Sequence, residues 1–498
     1  MNKILSIFIL TLFASVLTAQ VLKTVDVATA GTLTTLLSVT EKNTVTNLTV
    51  TGTIDSRDVK YMRDQIINLA VLDISGATIN SYSGTAGTTS TNTSYPADEM
   101  PIYSFQNINW NTTLKTVVLP NSIKSIGKGA FNGCSGLNSV TIPNTVKSIG
   151  NAAFGGCSSL TSLLLPNALT SIGEFAFSGC SGLTNVNIPK SVTSIQSRAF
   201  MLCSNVSEFT VENENVYFSS LNGVLLNKGQ EYLLQYPAMK LGNYVIPNSV
   251  KFIENYAFYG CTGLTSLTIH NSLSYIGTAV FVGCTGITDF IVNPENSSFS
   301  SKDGVLFNKS QINLIKYPGA KTGAYSVPNS VNSIESYAFS NCVELTSVVI
   351  PNSVISIGNN AFEACNKLSS IYALTSTPVS LTSSSYVFLN VNKNTCTLFV
   401  QAGLKGEYQL ANQWKDFVNI SEITTDLHLI NHTDIQTISE NGKLMIVNAS
   451  LGSKVQIYTV SGMKIREQFI EGNQTNISLP RGIYILRIGD YSDKIVVK

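Results

Sequence analysis

The sequence predicts a mainly β repeat solenoid of 23-residue units, followed by a small separate β domain. Three observations carry that prediction. Pro120, Pro143, Pro166 and Pro189 fall 23 residues apart, and Phe131, Phe154, Phe177 and Phe200 keep the same interval, as do Cys134, Cys157, Cys180 and Cys203. A unit this short cannot bury its apolar side alone and must stack on a neighbour. Finally, the beat stops near Asp426, where short alternating strands separated by Gly and Asn take over.

At 498 residues the chain exceeds one compact core. Charged residues are 12% of the total and the formal net charge is +1. That is too sparse and too balanced for a nucleic-acid footprint, which needs clustered Lys and Arg. Residues 1–19 read as a secretory signal peptide, with Lys3 at a positive start, an apolar run from Ile4 to Leu17, and cleavage near Ala19 and Gln20. No later apolar stretch has the length of a membrane helix, so no transmembrane segment is expected in the mature protein.

Residues 20–110 read as an N-terminal cap and first repeat strand. Thr46–Gly52 alternates like a strand. A short helix follows, capped by Asp55 or Ser56, with Val59, Met62 and Ile66 on one face. Leu69, Leu72 and Ile74 make the first rung, and the polar stretch Asn80–Tyr95 reads as a mobile surface loop with a binding loop as the alternative. Across residues 111–373 the rung pattern recurs at Leu114, Leu137, Leu160, Leu183, Val206, Leu264, Ile287, Leu345 and Leu368. The first, fourth and sixth residues of each unit should point inward, for example Leu137, Val140 and Ile142. The proline that usually follows ends the strand, because it has no N–H for a continuing ladder.

Two insertions, 212–246 and 293–327, interrupt the beat and match each other at an offset of 81 residues. "GVLLNKGQEYLLQYP" and "GVLFNKSQINLIKYP" each read as strand, turn, strand, a hairpin signature. A duplicated block explains both and puts the hairpins on the same side of the stack. Residues 374–425 read as a C-terminal cap with a helix over Gly406–Phe417, in which Trp414 and Phe417 close the open core. Residues 426–498 read as a small Ig-like β-sandwich.

Eight of the nine cysteines hold one repeat position, and Cys396 lies in the cap. Their Cα–Cβ vectors should run parallel, which opposes disulfide geometry, so a buried ladder of free thiols is expected. A one-dimensional ladder offers no tetrahedral metal site. His270 replaces a repeat proline and reads as a surface turn, while His428 and His432 lack a helical context. With no His beside a nucleophile and no defensible carboxylate pair, the expectation is no enzyme, no metal and no cofactor. Two candidate binding surfaces remain. One is the outer strand face, with Thr184, Asn185, Asn187, Thr265 and Thr268, continuing through Ser347, Val349 and Tyr372. Thr also suits any solvated strand, so both readings stay open. The other is the hairpins, with Tyr232, Tyr236 and Tyr317 as aromatic anchors. The expected partner is a protein or a glycan.

Units such as "CSGLNSVTIPNTVKSIGNAAFGG" resemble the BspA-like leucine-rich repeats of bacterial surface proteins, over residues 45 to 425. The resemblance implies a right-handed leucine-rich-repeat rod and a non-catalytic role in adhesion or protein/glycan binding. A carbohydrate-binding or enzyme-associated surface protein is the alternative. "VQIYTVSG", "RGIYILRI" and the terminal "KIVVK" resemble the type A C-terminal sorting domain of the type IX secretion system. That resemblance implies a sorting signal including Tyr458, Gly462, Gly482, Tyr484, Lys494 and Lys498, with the type IX machinery as partner. The destination would be the medium or the outer-membrane surface, reached through the periplasm.

Overall fold

The computed structural model describes residues 20–106, 112–423, 436–440, 442–447, 454–470, 474–488 and 491–497. The signal-peptide reading up to Ala19, His428, His432 and Lys498 lie outside the described residues; Gln20 is exposed. The chain divides into two compact units, one ending at Leu160 and the other starting at Thr161.

In the first unit a broad parallel ladder runs through Leu22–Val27, Asn47–Ile54, Val71–Asp73, Thr116–Val118 and Ser139–Thr141. Leu22–Val27 is a rung not anticipated from the repeat, because it lacks the L-x-x-L pattern. The helix Ser56–Gln65 is capped by Asp55, and Asp58 closes a capping box. A second, narrow parallel ladder joins Glu99–Met100, Ser125–Ile126 and Ser148–Ile149. Between the ladders Phe105, Phe131 and Phe154 stack at 5.7 and 5.2 Å, nearly coplanar.

Two expectations fail in this region. Asn80–Tyr95 is not a structureless loop: it contains an antiparallel pair, Tyr82–Gly84 with Thr93–Tyr95. Tyr95 is buried, and Arg63 holds the carbonyls of Thr88 and Tyr103 at 3.0 and 2.9 Å, so polar composition here conceals a packed element. No strand forms at 161–166, where the Leu160 rung was expected, although Leu163 and Leu165 still point inward and are buried. Nearby, Leu137 is buried but Val140 and Ile142 are only half-buried.

The second unit continues the pattern in segments. Asn185–Ile188 pairs with Glu208–Val211; Gly242–Val245, Leu264–Ile269 and Asp289–Val292 form the next group. Gly323–Ser326, Leu345–Ile350, Ser370–Ala373, Thr397–Val400 and Asn419–Glu422 form the last. All are parallel. The breaks coincide with the duplicated insertions. In the first, Phe218–Leu221 pairs antiparallel with Val224–Asn227, which pairs antiparallel with Tyr232–Gln235. Tyr232–Gln235 then enters the narrow ladder beside Phe252–Ile253. The second copy repeats this with Phe299–Lys302, Val305–Asn308, Asn313–Lys316 and Ser333–Ile334.

The hairpins are not surface projections. Each turn reaches the edge of the broad ladder, where the Phe209 and Phe290 N–H groups donate to Gly223 and Gly304 at 2.8 and 2.9 Å. Val224, Leu225 and Leu226, like Val305, Leu306 and Phe307, are buried. Each hairpin is a wedge through the core. Asn215 and Asn296 pin the entries: the Asn215 side chain donates to Pro189 and Val192 and accepts from Tyr217 and Phe218, and Asn296 does the same 81 residues later.

The exit is closed by Trp414 and Phe417, whose rings meet Phe388 edge-on at 4.9 and 5.1 Å. The expected helix is shorter, Lys405–Leu410, because Ala411 is extended with a ψ of 136°; a single tight turn at Trp414–Asp416 follows Gln413, whose φ is 62°. The C-terminal segment holds two antiparallel sheets, of three and four described strands, and Leu444, Ile446, Val455, Ile457 and Leu486 share one core between them.

Candidate binding surfaces

The broad ladder presents alternate residues outward, as strand geometry requires. Thr184, Asn185, Asn187 and Thr265 are exposed, and Thr268 is half-buried. Their side chains link coil to coil: Thr210 donates to Asn187 Oδ1 at 2.9 Å, and Thr265 donates to Asn243 Oδ1 at 2.8 Å. The second hairpin turn walls this face, with Ser301 Oγ accepting from the Val292 N–H at 3.1 Å. The result is a cradle of about 480 Å³ lined by Asn243, Thr265, Ser266, Thr288, Asp289 and Gly304. Its hydroxyls, the Asn243 amide and one carboxylate make a hydrogen-bonding surface beside the apolar Phe290 and Ile291. Among the described residues no group of His, Cys, Asp or Glu stands together that could hold a metal ion.

Other predicted positions land elsewhere. Tyr236 and Tyr317 are 1% and 0% exposed, so they are core residues and not surface anchors. They occupy the core-phenylalanine slot of the hairpin coils, stacking on Phe258 at 4.8 Å and Phe339 at 5.2 Å. Tyr232 is half-buried against Phe252 at 4.6 Å. Val349 and Tyr372, expected to be exposed, are 2% and 5% exposed, and Ser347 is buried with them. Met445 of the C-terminal segment packs on that cluster together with Phe399. His270 is buried as well, beneath the second insertion: Asn296 donates to its carbonyl, and its Nδ1 accepts from the Ser272 N–H at 3.0 Å. Burial pushes its pKa down from the usual imidazole range.

In the C-terminal segment Gly462, with a φ of 87°, forms the turn between Lys454–Thr459 and Lys464–Phe469. Tyr458 and Tyr484 lie on neighbouring strands, and the Tyr484 hydroxyl donates to the Pro480 carbonyl at 2.8 Å. Gly482 pairs with Val497, and Lys494 is exposed opposite Ile485. Sequence reasoning missed a group on the narrow-ladder side: Arg198, Asn313, Lys316, Glu335 and Tyr337 line two clefts beside the hairpins. The available signal was the residue two before each core phenylalanine, which is small in some coils and bulky in others.

A family model described as a BspA type leucine rich repeat region, in six copies, matches residues 99–221, 231–325 and 321–404, more than half of the sequence. The chain belongs to the BspA-type leucine-rich repeat family. A second model, described as a domain of unknown function (DUF6383), matches residues 424–497 of this BspA-type protein. Among curated proteins none matches it. Solved structures do. A leucine-rich repeat protein from Eubacterium ventriosum is 22% identical, with 66% of this chain and 79% of that one covered and a TM-score of 0.43. A leucine-rich cell surface protein from Faecalibacterium prausnitzii is 23% identical, with 64% and 87% covered and a TM-score of 0.37. The pneumococcal vaccine antigen PcpA is 18% identical, with 76% and 78% covered and a TM-score of 0.36.

Proposed function

We propose that this BspA-type protein is a secreted or surface-attached, non-catalytic binding protein that mediates adhesion through a protein or glycan ligand. The observation that carries this reading is the walled broad face. Asn187 pairs with Thr210 in one ladder segment, and in the next Asn243, Ser266 and Asp289 lie in register and line a cradle in which Asp289 is the single carboxylate. Fixed hydroxyls and amides suit recognition by many hydrogen bonds, whereas acid–base catalysis needs titratable groups poised near the working pH. Binding of the full chain to immobilised matrix proteins, host cells and glycans tests it. Thr265→Lys with Thr288→Lys is expected to cut binding at least about tenfold. Unchanged binding by that variant would move the site off this face.

The export route belongs to the same proposal. Residues 1–19 would direct Sec export, and the C-terminal segment, as an Ig-like sandwich carrying Tyr458, Gly462, Gly482, Tyr484, Lys494 and Lys498, would then engage the type IX machinery. A chain lacking 426–498 should stay in the periplasm; surface display of that truncation would end the sorting part of the reading.

A further inference from the structure

The 81-residue duplication supplies an internal comparison, because each copy interrupts the narrow ladder once. In ordinary coils the residue two before the core phenylalanine takes a left-handed φ: 57° at Phe175, 63° at Arg198, 62° at Tyr256, 54° at Ala279, 62° at Tyr337 and 56° at Asn360. The hairpin coils replace that turn with the end of a strand, Tyr232–Gln235 or Asn313–Lys316. A gap therefore opens between the flanking turns.

In the first copy Arg198 bridges the gap. Its guanidinium lies over the Tyr256 ring at 4.1 Å and the Phe175 ring at 5.0 Å, and it donates to Tyr256 Oη at 2.6 Å and Glu174 Oε1 at 3.3 Å. The remaining cavity is about 240 Å³. In the second copy Ala279 holds the equivalent position and is too short to bridge, and the cavity is about 330 Å³. The copies differ again at Gln235 and Lys316. Gln235 Nε2 donates to the Tyr236 and Ala257 carbonyls at 3.4 and 3.3 Å. Lys316, only 4% exposed, donates to the Tyr337 and Ser340 carbonyls at 2.9 Å each, which uses two of its three N–H groups. The two side chains hold different carbonyls, and only the second copy places a charge at this position.

We propose that the second cavity binds a hexose unit of a neutral glycan. Its volume lies in the range of small-ligand sites, about 300–1,000 Å³. Phe281 and Ile315 supply an apolar wall, and Tyr337 supplies a ring for the C–H face of a sugar. Tyr337 takes that turn's left-handed φ of 62°, as its counterpart Tyr256 does in the first copy. Lys316 and Glu335 line the same cavity with opposite charges, and Asn313 Nδ2 orients Glu335 Oε1 at 2.6 Å. A donor and an acceptor together fit adjacent hydroxyls, while their cancelling charges give no preference for an ion. The site rests on the binding-protein reading but not on the broad face.

Calorimetric titration of the full chain with neutral gluco-, manno-, galacto- and xylo-hexasaccharides tests the proposal. At least one is expected to bind. Ala279→Arg and Lys316→Gln each import the residue of the first copy, so the fold should tolerate them, and each should lower affinity at least about tenfold. Tyr337→Asn should lower affinity similarly while leaving the melting temperature unchanged or higher. Binding of none of the four sugars, binding of uronic-acid oligosaccharides only, or wild-type binding by Ala279→Arg would overturn it. Thr265→Lys with Thr288→Lys should leave hexasaccharide binding intact. Loss of it there would put the sugar on the broad face, sinking this inference while leaving the adhesion reading standing.

Discussion

The Cys157 thiol donates to the carbonyl oxygen of Phe131, one coil earlier, at 3.3 Å. The bond recurs from Cys134 to Phe105, Cys203 to Phe177, Cys284 to Phe258 and Cys365 to Phe339, at 3.0–3.3 Å. Two ladders that look independent in the sequence are thus one device. Each coil's thiol satisfies a buried carbonyl beside the previous coil's aromatic ring.

If the donor matters, Cys203→Ser should be less damaging than Cys203→Val. Serine keeps a donor in the same place; valine removes it and adds a methyl group. Urea unfolding should separate the two by about 1 kcal/mol in favour of serine. Equal stabilities would mean that the thiol acts only as a space filler.

Burial pushes the thiols of Cys134, Cys203 and Cys396 up to about 12. An unfolded chain releases these protons from about pH 8.5, while the folded chain retains them. The unfolded state then binds fewer protons, so stability is fully present below about pH 8.5 and falls as pH rises toward 12. Melting temperatures measured from pH 7 to 10 should decline, and the native thiols should resist aromatic disulfide reagents at pH 8 until the protein unfolds.

Phe177 is fully buried and stacks on Phe200 at 5.5 Å, within 5° of coplanar. Phe177→Ala should cost about 3–5 kcal/mol, since the flanking coils are tied by ladder hydrogen bonds and cannot collapse into the cavity. A loss below about 1 kcal/mol in chemical denaturation would contradict the ladder's role.

Removing residues 426–498 should uncover Val349 and Tyr372, which pack with Met445. The truncated chain should keep its solenoid far-UV spectrum but bind more of an apolar dye such as ANS. No gain in dye binding would mean that this cluster is already open in solution.

Much of the repeat was legible because stacking imposes the same demand on every coil. The period placed Phe131, Phe177 and Cys203 in the core and located both insertions, since an inward residue must recur wherever a neighbour's inward residue awaits it. The short ladder strands and the Asp55 cap were local patterns of the same kind. The three-dimensional arrangement decided what the insertions do. Tyr236 and Tyr317 read as aromatic anchors on the hairpins, but the break in both ladders leaves a hole that the hairpin and its tyrosine must fill. Tyr372 and Val349 followed the outward alternation of a strand, yet a segment distant in sequence covers them. The cleft at Tyr337 arises where a turn is missing, and its size depends on whether Arg198 or Ala279 faces it from the neighbouring coil. Periodicity specifies what each coil shares with the next; only the packed chain reveals what happens where two coils differ.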